Sequence, residues 1–511
     1  MASIKLSEQH MEEASSQADQ KSQGHDSISC ISPEHERYLL QRHGTLDLDP
    51  LPQPDDADPY NWPYRKKIIN LILVIFHASM ATFNAAAIVP AFQQIADDFK
   101  SSLQTISYLT TVQIVFLAFG PLIWKPFANT YGRRPLFLLS LIGSLVSNVG
   151  CARSSSYGTM CFCRALVGLF MSLVAAIGSV VVTEMFFKKN RAFYIGLWTL
   201  MVTIGVPSAP LIMGFVSARV KYRWIYWILA ITNGIQLVTY FFFGPETRYI
   251  PNGATVKASA RKSYLQFRRI DPSPLTVQTF IHPLTLSRKV CVSLAGLAHA
   301  VTFMFGNTLI VVELPELFGD KFGFNSEKLG LQFIGLIVGS IIGEQIGGGF
   351  SDYWMRRKSR NSGTEPPPEY RLWISYLGFS LSLIGLVMFL VQTDRAPRGH
   401  WNISPVIGIA IAGAGNQIIT TVLITYAIDC HPEESASIGV LITLIRQALA
   451  FLGPFWFTSM FNNVGIAPCS GIVCGLIVAL SISPVAFLHC RGSGLRASKN
   501  ENTISRDIGS V

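Results

Sequence analysis

Twelve stretches of roughly 20 apolar residues, the length a helix needs to cross a bilayer, follow one another along this chain with short polar connections between most of them. They lie near 68–91, 106–128, 135–152, 158–183, 192–217, 224–244, 289–312, 328–350, 371–392, 403–428, 436–460 and 466–489. Inside lipid a backbone must satisfy its own N–H and C=O groups, which a helix does within a single segment. Half of the 511 residues are hydrophobic and only 14% are charged, against about 25% in an ordinary soluble domain. An all-α membrane protein with twelve transmembrane helices is the expected fold.

The remaining charges sit in the connections, and unevenly. With the N-terminus inside, the inner connections hold Arg65-Lys66-Lys67, Arg133-Arg134, Lys188-Lys189 with Arg191, the basic residues from Arg248 to Lys289 and those from Arg356 to Arg371. The outer connections hold fewer than half as many. This bias predicts a multi-pass protein with both termini in the cytoplasm, placed here in the plasma membrane. The longest connection divides the spans six to six. The predicted organisation is a disordered cytoplasmic tail 1–60, an N-terminal six-helix bundle 61–245, a cytoplasmic central loop 246–288, a C-terminal six-helix bundle 289–490 and a cytoplasmic tail 491–511. The first 60 residues lack the basic-then-apolar pattern of a cleaved signal, and the pair Asp55-Asp56 reads as solvated. The net charge of +10 belongs to the loops, so it reports topology and not nucleic-acid binding.

One connection occurs twice. "GPLIWKPFANTYGRRP" closes the second span, and "GEQIGGGFSDYWMRRK" closes the eighth. Gly120 falls on Gly343, Asn129 on Asp352 and Arg133-Arg134 on Arg356-Arg357, all 223 places apart. Glu184 and Asp429 each end the fourth span of a half, and Ala209-Pro210 and Gly453-Pro454 sit mid-way in the fifth. Six-span repeats mark transporters that rock one half against the other about a central site. Gly120, Gly132, Arg133 and Arg134, with Asp352, Arg356 and Arg357 in the second copy, are then expected to form a conformational latch. Its arginines would bond carboxylates or helix-end carbonyls of the neighbouring bundle when the inner side is closed. Glu184 and Asp429 are the expected acidic partners. Asn129 stands where the second copy has the acid Asp352.

The loop "GPLIWKPFANTYGRRP" resembles the loop signature of the major facilitator superfamily. "DPYNWP", "RALVG", "GPETRY", "GGGFSD" and "IRQALAFLGPFWF" are similar to its fungal drug:proton antiporter-like branch, and the resemblance spans about residues 56 to 490. It implies twelve helices in two six-helix bundles, alternating access and proton coupling. Family patterns commonly have Asp at the position of Asn129. In the fifth span, "GVPSAPLIMG" keeps the antiporter motif's spacing through Gly205, Pro210 and Gly214, with Ala209 and Met213 replacing glycines.

Charged and polar residues inside the spans are the candidate site. Arg164 lies about seven residues, or roughly 10 Å, inside the fourth span. The resemblance matches it to an arginine implicated in proton coupling, and the bland alternative is a structural arginine bonding carbonyls of a neighbouring helix. Glu344 and Arg446 either pair with each other or leave Glu344 to carry the proton. His77, Asn84, Gln113, His299, Asn307, Asn416 and Gln417 either bond across helices or line a substrate path. No clustered His box or P-loop occurs, which argues against a membrane enzyme and against ATP as the driver.

The expected function is proton-coupled export of small amphipathic organic molecules, a xenobiotic or a secondary metabolite. Uptake of a polar or cationic nutrient is the alternative, and a non-transporting sensor a weaker one. No cofactor or metal is expected, only the proton gradient. The expected partners are the small-molecule substrate and the lipid bilayer, with the protein acting as a monomer.

Overall fold

The computed structural model describes residues 32–249, 269–271, 274–363 and 366–494. Among them, twelve helices are long and apolar enough to cross a membrane. They are α1 (Tyr64–Phe99), α2 (Leu103–Tyr131), α3 (Arg134–Arg153), α4 (Tyr157–Met185), α5 (Phe193–Val220), α6 (Arg223–Phe243), α7 (Val290–Phe322), α8 (Ser326–Ser362), α9 (Pro368–Arg395), α10 (Ser404–Cys430), α11 (Pro432–Phe455) and α12 (Ile466–Gly494). Two run further than their apolar cores. Helix α7 continues about ten residues past the expected end, through "ELPELFGDKF", and α8 carries the polar "SDYWMRRKSRNS" as continuous helix.

Within the first half α1 packs on α5, α2 on α4 and α3 on α6; within the second α7 packs on α11, α8 on α10 and α9 on α12. Small residues bring these helices close. A Cβ on Gly120 would collide with Ser172 of α4, and one on Gly343 with the Ala414 carbonyl of α10. The two repeat glycines thus make equivalent contacts. The halves meet along two seams, α2 against α11 and α5 against α8, which exchange under the six-span repeat.

Residues 32–60, expected to be part of a disordered tail, are folded. Ser32 caps a helix Pro33–His43, Arg42 donates to the Asn61 carbonyl at 2.8 Å and Tyr60 to the Thr183 carbonyl at 2.6 Å. Tyr60 thereby ties the segment to the inner end of α4. The buried Asp58 and Asn61 bond within the segment, Asp58 to the N–H groups of Gln53 and Tyr60 and Asn61 to the carbonyls of Gln53 and Asp55. Asp55 and Asp56 belong to it, Asp56 accepting from Tyr38 at 2.8 Å. The first 31 residues, most of the basic stretch 257–269 of the central loop and the tail after 494 lie outside the described residues.

Candidate functional site

Between the halves, α1, α2, α5, α7 and α11 enclose a small central cavity of about 60 Å³. Thr82, Ala85, Thr110, Ile114, Leu117, Val202, Thr203 and Val206 line it from the first half; Phe303, Asn307, Thr308, Val311, Val312, Arg446 and Gln447 line it from the second. The wall is mainly apolar, with hydroxyls and amides spaced along it. Met304–Leu309 forms a π turn in the middle of α7, a local widening frequent at functional sites. It brings Phe303, Asn307 and Thr308 onto the cavity face together.

The cavity is sealed at the end of the α1–α2 and α7–α8 connections, the outer side of the expected topology. A Cβ on Gly214 would stand 2.5 Å from the Ser326 carbonyl, and one on Gly330 2.5 Å from the Pro210 carbonyl. Backbones of α5 and α8 are therefore in direct contact where a larger residue would part them. At the other seam Gln104 donates to the Pro454 carbonyl at 2.7 Å, and Tyr108 stacks on Phe455 at 4.9 Å. The inner side differs. There α5 and α8 stand apart around a cleft of about 860 Å³, lined by Phe193, Leu197 and Leu200 on one wall and Glu344, Gln345, Asp352, Arg356, Arg357 and Arg360 on the other. At the α2/α11 seam Lys125 still donates to Ser437 at 2.6 Å.

Only Asn307 and Arg446 of the sequence candidates line the central cavity. Arg446 lies with its guanidinium 4.7 Å above the Phe303 ring. It does not pair with Glu344, whose carboxylate accepts from Gln417 at 2.6 Å and Thr421 at 2.9 Å, both on α10. Glu344 is buried against α10 while forming part of the cleft wall. The other candidates are packed inside one half. His77 meets Ser140 at 3.1 Å and the edge of Phe137; His299 meets Thr420 at 3.1 Å. Gln113 is fully buried between α2 and α4, and Asn416 packs against Gly306.

Arg164 is fully buried. It donates to the backbone carbonyls of Leu109 at 3.1 Å, Asn84 at 2.9 Å and Ala85 at 3.0 Å. Its partners are helix carbonyls of α1 and α2, the arrangement of a structural arginine that ties three helices together. Gly205 faces α1, where a Cβ would meet the Ser79 carbonyl at 2.5 Å, whereas Pro210 and Gly214 form the outer seal.

The loop arginines do not reach across to the other bundle, contrary to expectation. Arg133 donates to Asn129 and to Glu184, each at 2.9 Å, all within the first half. Arg134 donates to the Phe241 carbonyl at 2.7 Å. Gly132 adopts φ +95°, and a Cβ there would stand 2.5 Å from Glu246. The space is taken because Glu246 accepts the backbone N–H groups of Arg133, Arg134 and Arg248 at 2.9, 3.0 and 2.8 Å. Burial pushes the Glu246 carboxyl upward, and those three N–H donors draw it back. In the second half neither Arg356 nor Arg357 binds Asp352. Arg371 does, at 2.9 Å, and lies 3.4 Å from Asp429.

Four residues with evident roles escaped sequence reasoning: Glu246, Arg371, Lys125 and Glu313. The first sits in "GPETRY", so its signal was present. Glu313 is 2% exposed on α7, with both oxygens 3.4 Å from the Thr458 hydroxyl. Its position just beyond the expected end of the seventh span hid it.

Residues 73–454 match the family model of the Major Facilitator Superfamily. The chain is 25% identical over 474 residues to the transporter mfc1 of Schizosaccharomyces pombe, covering 87% of this chain and 94% of that one. It is 25% identical over 504 residues to the efflux pump radE of Floropilus chiversii, covering 93% and 91%. Its fold is similar to that of the human organic anion transporter MFSD10, with a TM-score of 0.57 at 15% identity, over 84% of this chain and 100% of that one. A matched model spanning most of the chain, and twelve helices in two halves around a central cavity, make this protein a membrane transporter of the major facilitator superfamily.

Proposed function

We propose that the protein exports small organic molecules by alternating access, driven by the proton gradient, with Glu344 as the protonatable group. One observation carries this reading. The halves touch on the outer side through Gly214 and Gly330, while on the inner side α5 and α8 part around a cleft whose wall includes the buried Glu344, with α2 and α11 still joined there through Lys125 and Ser437. A carboxyl so placed exchanges protons with the inner water, while its bonds to Gln417 and Thr421 tie its charge state to α10. Coupling is assigned to Glu344 and not to Arg164, since carbonyls occupy the latter. Similarity to the efflux pump radE supports the outward direction.

The test is transport of a panel of fluorescent amphiphilic dyes by the wild type and Glu344→Gln in a pump-deficient yeast host and in proteoliposomes with an imposed pH gradient. Wild-type cells should accumulate less of at least one dye than cells without the protein. Glu344→Gln should keep exchange down a concentration gradient and lose accumulation driven by the pH gradient. Undiminished pH-driven accumulation by Glu344→Gln would overturn the assignment. Higher dye content in cells making the wild type would favour uptake instead.

A further inference from the structure

The buried arginines Arg133, Arg164 and Arg371 each donate to acceptors of the protein, whereas Arg446, half-buried at the central cavity, does not. Arg164 has three carbonyls, Arg133 has Asn129 and Glu184, and Arg371 has Asp352 and Asp429. Arg446 has no ion pair or hydrogen bond among the described residues. Its single strong contact is the face of Phe303 at 4.7 Å, which steadies the guanidinium plane and leaves its donor edge unused. The acids buried in the spans of this half lie elsewhere: Glu344 bonds to Gln417 and Thr421, Glu313 to Thr458, and Glu369 sits at the first turn of α9.

An uncompensated cation at the wall of a low-dielectric cavity is costly. Held flat with its edge free, it is also half of a bidentate pair awaiting an oxyanion. The side chains of Asn307 and Gln447 line the same wall, and the opposite wall is apolar through Ile114 and Val206.

We propose that Arg446 is the subsite for the anionic end of the substrate, so that the protein carries amphipathic organic carboxylates. The apolar body lies against the first half and the carboxylate meets the guanidinium edge-on. A cationic substrate would face an unpaired like charge. This inference rests on the central cavity being the transport site.

Three probes sharing one apolar body test it on the purified full chain: 1-naphthaleneacetate, 1-naphthaleneacetamide and 1-naphthylmethylamine, with binding read by thermal shift and titration. The wild type should bind the carboxylate about 10- to 100-fold more tightly than the amide, the usual range for a charge-assisted pair, and bind the amine weakest. Arg446→Gln should remove the preference while leaving the amide's affinity within about 3-fold, and Arg446→Lys should restore part of it. The wild-type ratio needs no variant, so a poorly folding Arg446→Gln does not spoil the test. Equal binding of the three probes, preference for the amine, no binding of the carboxylate, or an undiminished preference in Arg446→Gln would overturn the proposal. The same proteoliposomes separate the two readings. Carboxylate binding without pH-driven flux sinks proton coupling and leaves the anion site, whereas pH-driven flux of dyes without charge preference sinks the anion site alone.

Discussion

Arg371 donates to Asp352 across 2.9 Å at the inner end of the second half, where Asp429 also lies 3.4 Å from the same guanidinium. Its counterpart in the first half is Arg133 between Asn129 and Glu184. One arginine thus serves two acids in one half, and one acid and one amide in the other. The amide does not leave Arg133 unpaired, because Glu184 supplies the charge and Asn129 only an acceptor.

Asp352→Asn should therefore be mild. It turns the second cluster into a copy of the first, with Arg371 still held by Asp429. Arg371→Ala should be severe, since it leaves two carboxylates facing each other at a partly buried site. We expect transport reduced less than about 3-fold in the first variant and about 10-fold or more in the second, a difference of at least about 0.7 kcal/mol. Initial rates at matched surface expression check this, and equal rates in the two variants would refute it.

Removing Arg164 should unfold and not uncouple. Three charge-assisted bonds from the guanidinium to buried helix carbonyls would be lost, together with the tie they make between α1, α2 and α4. Arg164→Ala should show a markedly lower melting temperature in detergent and little protein at the surface. Arg164→Lys keeps the charge without the fork and should lie between. A well-expressed Arg164→Ala of normal melting temperature would contradict this role.

The seal between α5 and α8 depends on bare backbone. Gly214→Val should push α8 away and shift the population toward an outward-open form. Cysteines placed near Ser326 should then label faster from outside. Unchanged labelling would show that the seam yields without opening.

Glu246 is the acceptor for the N–H groups of Arg133 and Arg134 at the start of α3 and of Arg248 beyond α6. Glu246→Ala should lower stability by about 2 kcal/mol or more, and Glu246→Gln by less, because one oxygen still accepts. Thermal unfolding of the two variants measures the order, and reversal of that order would place the effect elsewhere.

Hydropathy alone revealed the twelve spans, because lipid leaves a long apolar run no other stable state. The same criterion fails where a helix outlives its apolar part. Helix α8 continues through Ser362 and carries Arg356 and Arg357 into the cleft, away from the neighbouring bundle's acids they were expected to bond, and Asp352 is held by Arg371 instead. Arg371 arrives only after the insertion. Helix α7 likewise runs past Val312, which placed Glu313 inside the protein when its acidic, Pro-containing surroundings read as a connection. The unpaired state of Arg446 depends on which residues its helix face meets, and one sequence without contacts carries no record of that.

A cavity of about 60 Å³ is far below the roughly 300 Å³ that a drug-sized ligand fills. Docking and parting of the halves are consequently a single equilibrium. Any affinity measured on the resting protein is the intrinsic affinity multiplied by the fraction already parted. Loosening the glycine contact at Gly214 should thus tighten apparent binding of every accepted compound by one common factor and leave their rank order untouched.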